Sequence, residues 1–218
     1  MRDDDPQVEI TPARLMAAYR AGLFPMAENR NAAELFWLDP LQRGIFPLER
    51  FHISRSLARR IRKGGFAVTI DRAFDAVLQG CAERTETWIN ARIAALFRAL
   101  HAMGHAHSIE VWEDGALIGG VYGLAIGGAF FGESMFSARR DGSKIALAYL
   151  MHRLRAGGFT LFDTQFLTPH LASLGAIEVP RSRYRHLLRN ALARDAAFGR
   201  DDGMPTAQDV LQARTQTS

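Results

Sequence analysis

SIEVWEDGALIGGVYGLAIGGAFFGESMFS, residues 108–137, decides the architecture. Asp114-Gly115 and Gly127-Gly128 are turn signals that cut a β-branched, aromatic and glycine-rich stretch into three pieces of strand length. The spacing predicts an antiparallel three-stranded meander. Residues 116–132 carry no charge, which invites a membrane reading. The run falls short of the roughly 20 apolar residues of a spanning helix, and its glycines lower helix propensity. It reads as two buried strands joined by a turn. At the far end, FGESMFS sets Glu133 among aromatics, a methionine and small residues. An ion pair with Arg139 or Arg140 is its plainest structural use.

Working outward, residues 89–103 read as a helix ended by Gly104, and Asp71 as the cap of a helix to about Cys81. FAVTI reads as a strand and residues 54–63 as a helix closed by Gly64-Gly65. Pro25, Pro40 and Pro47 break residues 23–51 into loops and short strands, and Thr11-Pro12 starts a first helix that ends at Gly22. Downstream come a helix over 143–155, the strand FTLFDTQ, a short helix over 168–174 and a basic helix over 181–193. The tail from Arg194 is polar and expected to fray. This order is that of an α+β layer fold and matches GNAT-type acyltransferases. The expected division is a small N-terminal domain at 1–63, a GNAT-like catalytic domain at 64–193 and a polar tail at 194–218.

With 218 residues and 48% apolar content, the chain can bury one sizeable core. The single cysteine, Cys81, excludes an intramolecular disulfide framework and fits a reducing compartment. The acidic start MRDDDPQVEI has no apolar region of the kind a leader needs, so a cytoplasmic, non-membrane protein is expected. Formal net charge is only +4, so an anionic partner must be held by local clustering. SRSLARRIRKGG supplies the cluster: Arg55, Arg59 and Arg62 share one helical face, flanked by Arg60 and Lys63, with Leu57 and Ile61 opposite. A nucleic-acid phosphate site and a solvated helix face are both open readings. Trp37 and Trp88 are candidates for stacking on a base, with core packing the commoner use.

In FTLFDTQ, alternation sends Asp163 and Gln165 to one face of the strand. A carboxylate beside the Gln165 amide would orient it and leave its carbonyl oxygen free; otherwise Asp163 ends the strand and caps a turn. RRDGSKIALA opens the helix after the meander, where acetyl-CoA enzymes hold pyrophosphate, but Lys144 occupies the last small position of that pattern. Nor does it have the glycine and lysine spacing of a Walker A loop. His101, His105 and His107 are interrupted by Gly104 and lack acidic or cysteine partners at ligand spacing, so no metal is expected. Cys81 reads as packing.

The blocks AYRAGLFPM, FWLDP, FHISRSL, TWI, LHAMGHAHSIEVW, GGVYG, FFGESMFS, FDTQ and HLASLGAIEVPRSRY together resemble the leucyl/phenylalanyl-tRNA–protein transferase family, across residues 18–184. The resemblance implies a small N-terminal domain on a GNAT-like domain and no cofactor. It implies transfer of Leu, and also Phe or Met, from aminoacyl-tRNA to proteins with N-terminal Arg or Lys, which marks them for N-degron degradation, by a monomer. By resemblance Asp163 and Gln165 are the catalytic pair, with Asp163 polarising the amide, and Glu133 lies on the floor of the aminoacyl-adenosine site. Phe130, Gly132, Met135, Leu147, Leu150 and Phe162 line the amino-acid pocket, and Trp37 and Trp88 lie near the terminal adenine. Arg55, Arg59, Arg60, Arg62 and Lys63 are the expected tRNA-binding residues. Val121 stands where the family can have methionine, and the FPM block lacks the aromatic often found after FP. The competing readings are an acetyl-CoA-dependent N-acetyltransferase and a non-catalytic tRNA-binding protein.

Overall fold

The computed structural model describes residues 10–32, 34–84, 87–199 and 203–212. Helix α1 (Pro12–Arg20) starts on Thr11, whose hydroxyl accepts from the Arg14 amide, with Pro12 in the first turn where no amide is needed. Strands β1 (Phe24–Met26) and β2 (Phe36–Leu38) pair antiparallel as a small separate sheet. Then follow β3 (Gln42–Phe46), α2 (Arg55–Lys63), β4 (Ala67–Ile70), α3 (Phe74–Ala82) and α4 (Ala91–Ala102). The meander is β5 (Ala106–Glu113), β6 (Ala116–Ile126) and β7 (Ala129–Ser137). After it come α5 (Gly142–Ala156), β8 (Leu161–Gln165), α6 (Pro169–Ser173), β9 (Ile177–Pro180), α7 (Arg181–Leu192) and α8 (Ala207–Gln212).

Seven strands form the main sheet in the order β4-β5-β6-β7-β8-β3-β9. All neighbours are antiparallel except β7 and β8, which are joined by the α5 crossover and run parallel. Helices cover both faces, so the sheet alternates between two cores. Phe130 packs with α2, α5 and α8, while Phe131 packs with α1, α3, α4 and α7. This explains the charge-free run: β6 is buried on both faces, which requires a continuous apolar strand. Gly119 lets the start of α5 approach, since a Cβ there would lie 2.5 Å from the Gly142 carbonyl carbon. No helix among the described residues is long and apolar enough to cross a membrane.

Four local expectations change. Strand β3, expected among the loops and short strands of a small N-terminal unit, lies inside the main sheet between β8 and β9. Its short apolar piece GIF, between prolines, has no strand-length pattern of its own; tertiary pairing makes it a strand. Strand β9 is likewise too short to register as periodicity. Asp71 does not cap α3: it has φ 57, accepts from the Ser108 amide at 2.8 Å and faces His107 Nδ1 at 2.7 Å. The buried Glu110 carboxylate takes over at that helix start, meeting the backbone amides of Arg72 and Ala73. Finally, the described part of the tail is docked: Phe198 stacks on Phe130 and His107, and α8 buries Val210 against α2 and α5. A few apolar residues spaced among polar ones anchor it, Phe198 and Val210 buried and Met204 and Leu211 partly buried against the same core.

Candidate active site

The β7–β8 ladder runs from Ala129 opposite Leu161 to Phe131 opposite Asp163 and then stops, although both strands continue. Irregularities on both sides part them. On β7 the register passes from Gly132 opposite Gly123 to Ser134 opposite Tyr122, which makes Glu133 the extra residue of a β-bulge. On β8 a bulge against β3 leaves Thr164 unpaired, and Gln165 has φ 59. Gly44 permits this bend, since a Cβ there would lie 2.7 Å from the Phe166 backbone. A cavity of about 350 Å³ fills the gap. Gly132, Glu133, Ser134 and Met135 line one side and Phe162, Thr164, Gln165 and Phe166 the other. Val121 and Leu147 join Met135 and Phe162 at its apolar bottom, and Phe24, Pro25, Met26, Arg84, Trp88 and His170 are among the residues of the remaining wall.

Two buried carboxylates sit at this point, and their partners differ from those expected. Asp163 is fully buried beneath the cavity. Arg43 grips it from β3 in bidentate fashion, Nε to Oδ1 at 2.9 Å and Nη2 to Oδ2 at 2.6 Å, and Tyr184 Oη donates to Oδ2 at 2.7 Å. The Gln165 backbone amide donates to Oδ1 at 2.8 Å, so Asp163 holds the bend that ends β8. Arg43 is itself 1% exposed, lies 4.4 Å from both the Phe24 and the Tyr184 ring centroids and donates to the Gly22 carbonyl. Burial works against its charge, but Asp163 outweighs burial and raises its pKa. Burial and then Asp163 drive Tyr184 far above its ordinary value, which keeps it a donor.

The carboxylate facing the Gln165 side chain is Glu133, not Asp163. Gln165 Nε2 donates to Glu133 Oε1 at 3.2 Å, and Tyr19 Oη from α1 donates to the same oxygen at 2.8 Å. The expected polarisation of the Gln165 amide by Asp163 is therefore corrected: backbone φ at Gln165 turns its side chain away from the strand's alternation. Arg139 and Arg140 do not reach Glu133; Arg139 pairs with Glu113 and Arg140 with Asp141. Burial pushes the Glu133 carboxyl up to about 8, with Asp163 adding to the rise and Tyr19, Arg43 and Gln165 opposing it. Burial and then Glu133 raise Tyr19 well above its usual range, so its hydroxyl stays protonated.

Of the other expected residues, Gly132, Met135, Leu147, Phe162 and Trp88 line the cavity. Phe130 and Leu150 do not; they lie in the core, 1% and 0% exposed, Phe130 against the Phe159 and Phe198 rings and Leu150 on α5 in the same core cluster. Trp37 is on β2 opposite Pro25, 40% exposed and off the lining. In α2, Arg55, Arg59, Arg62 and Lys63 are not buried. Arg60 departs from that set: it turns inward to Glu113 and the Gly64 carbonyl. His101 stacks on Phe74 with Nδ1 on the Ala106 carbonyl, and His107 pairs with Asp71. The Cys81 thiol is buried and its pKa pushed up to about 12. At the start of α5 the Gly142 amide donates to the Arg139 carbonyl and the Ser143 amide to Ser137 Oγ, so neither is free for a pyrophosphate. Sequence reading missed Arg43, Tyr19, Tyr184, Arg84 and His170. Tyr19, Tyr184 and His170 stand in blocks quoted above, whereas Arg43 and Arg84 stand in none, and nothing local to residues 42–46 marks Arg43.

Residues 45–189 match the family model described as leucyl/phenylalanyl-tRNA protein transferase, and residues 8–41 match that of its N-terminal domain. The chain belongs to the leucyl/phenylalanyl-tRNA protein transferase family. A relative named leucyl/phenylalanyl-tRNA–protein transferase from Ruegeria pomeroyi is 59% identical over 97% of this chain and 100% of its own length. Another of that name from Cereibacter sphaeroides is 59% identical over 96% of this chain and 98% of its own. Among solved structures, FemX is similar with a TM-score of 0.52 at 13% identity, covering 76% of this chain and 66% of FemX. At that identity the likeness concerns the fold alone, which is GNAT-like. The N-terminal match ends one residue before β3, in step with the strand's place in the main sheet.

Proposed function

We propose that the chain transfers leucine, and also phenylalanine or methionine, from aminoacyl-tRNA to the α-amino group of proteins beginning with Arg or Lys, marking them for N-degron degradation. It works as a cytoplasmic monomer. The observation that carries this reading is the cavity itself: an apolar bottom of Val121, Met135, Leu147 and Phe162, with the Tyr19–Glu133–Gln165 network at its side. The apolar end takes an unbranched donor side chain, Trp88 packs on the terminal adenosine, and the ester carbon comes to rest beside Gln165. An aminoacyl ester is already activated, so the work left to the protein is to position the amine, handle its proton and steady the oxyanion. Gln165 accepts an N–H of the amine through its carbonyl oxygen, since its NH2 is engaged with Glu133. Asp163 is a positioning residue, acting through the Gln165 backbone. The outward-facing cations of α2 meet tRNA phosphates.

The test is label transfer from leucyl-tRNA to a protein beginning with arginine, alongside the same protein with a blocked N-terminus and a parallel reaction with acetyl-CoA. Label is expected only on the free N-terminus. Acetylation without tRNA-dependent transfer would overturn the reading, and so would tRNA binding with neither activity.

A further inference from the structure

Peptide-bond formation releases a proton from the attacking amine, and four groups around the cavity are able to interact with it. Asp163 is closed off: each of its oxygens receives two donors, Arg43 Nε and the Gln165 amide on Oδ1, Arg43 Nη2 and Tyr184 Oη on Oδ2. The Gln165 amide oxygen orients an N–H but is far too weak a base to hold a proton. His170, on the short helix α6, lines the opposite wall; burial and then the Lys144 charge lower its pKa. Glu133 remains.

Its geometry is asymmetric. Tyr19 and Gln165 both donate to Oε1, and among the described residues none donates to Oε2. The buried side-chain atoms without a partner among these residues are Tyr122 Oη, Arg153 Nη2 and Thr164 Oγ1; Glu133 Oε2 is not one of them, so it opens on the cavity that Glu133 lines. With Oε1 turned to two donors, the acid form must carry its proton on Oε2.

We infer that Glu133 Oε2, not Asp163 or Gln165, takes the proton of the attacking amine and returns it to the departing ribose oxygen. This rests on the transferase reading above. The neutral amine's lone pair forms the new C–N bond while the carbonyl π pair moves onto oxygen. The resulting ammonium gives one proton to the Glu133 carboxylate. The oxyanion then reforms C=O and breaks the ester C–O bond, and the ribose oxygen leaves with the proton from Glu133. No proton is gained or lost by the protein over the cycle. Burial brings the carboxyl to about 8, so near neutral pH it can both take up and give back a proton. The groups facing it are Tyr19 from α1, Arg43 from β3, Tyr122 from β6, Asp163 and Gln165 from β8, and Arg84 after α3.

The experiment is the pH dependence of kcat/KM for an arginine-starting acceptor with saturating leucyl-tRNA, for wild type, Glu133→Gln and His170→Gln. Two ionisations, of the amine and of Glu133, should give wild type a log–log slope approaching about two below about pH 7, and Glu133→Gln a slope of about one with a rate at least about a hundredfold lower. His170→Gln should keep the steeper slope. Nuclear magnetic resonance of carboxyl-labelled glutamate guards against misfolding of the variant: one signal should titrate near pH 8 in wild type and vanish in Glu133→Gln. A Glu133→Gln enzyme that keeps the steeper slope, a wild-type spectrum in which no glutamate titrates near pH 8, or loss of the slope in His170→Gln would each overturn the inference. Absence of any wild-type transfer would instead overturn the transferase reading.

Discussion

Asp163→Asn separates the two jobs a carboxylate has at this site. Arg43 is 1% exposed and its charge is met by Asp163. Removing one partner of a buried ion pair leaves an uncompensated charge, which costs about 3–5 kcal/mol. Urea melts of Asp163→Asn are expected to register a loss of that size, and a midpoint unchanged from wild type would contradict the structural role. Glu133 has the opposite sign. Its folded pKa is raised to about 8, against about 4.3 for an ordinary glutamate, so the unfolded chain ionises first as pH rises. Its contribution to stability is full below about pH 4 and is lost progressively up to about pH 8. Glu133→Gln should flatten this part of the stability–pH curve, as followed by thermal melts between about pH 5 and 9; an unchanged curve would argue against a buried, titrating carboxyl. Glu133 and Gln165 were legible in FGESMFS and FDTQ because a polar residue in an apolar strand stands out. Tyr19 and Arg43 were not, because they meet their carboxylates across 114 and 120 residues of chain, which no local pattern encodes.

At the scale of elements, the amphipathic pattern of α2 was readable because Leu57 and Ile61 are buried opposite the cations. The pattern did not distinguish Arg60, whose pairing with Glu113 depends on β5. Replacing Arg55, Arg59 and Arg62 by glutamine should raise KM for leucyl-tRNA and lower the log–log salt slope by roughly 0.7–0.9 for each phosphate no longer neutralised. Phenylalanyl-adenosine, with no acceptor stem, should be used almost unchanged. An equal loss with both donors would mean that α2 supports the fold and not the tRNA. The meander was legible to within a residue or two because two glycine turns punctuate a long pattern. Strands β3 and β9 and helix α8 were not, since each is six residues or fewer and exists through what it packs against.

For the whole molecule, the fold class followed from element order, while the cavity depended on two bulges that open a parallel strand pair. One of them, at Glu133, lies where the register of β6 and β7 slips, and no sequence signal marked it beyond the charge itself. The same splay fixes what the cavity admits. Its bottom of Val121, Met135, Leu147 and Phe162 favours side chains that extend past Cβ before widening. A methylene in such a site is worth roughly 1–3 kcal/mol, so leucine should be preferred over valine by about tenfold or more, without complete exclusion. The direct measurement is competition between leucyl-tRNA and valyl-tRNA for one arginine-starting acceptor, read by mass spectrometry of its N-terminus. Predominantly leucine with a minor valine product is the expected result, and equal incorporation of the two would contradict an aminoacyl site between β7 and β8.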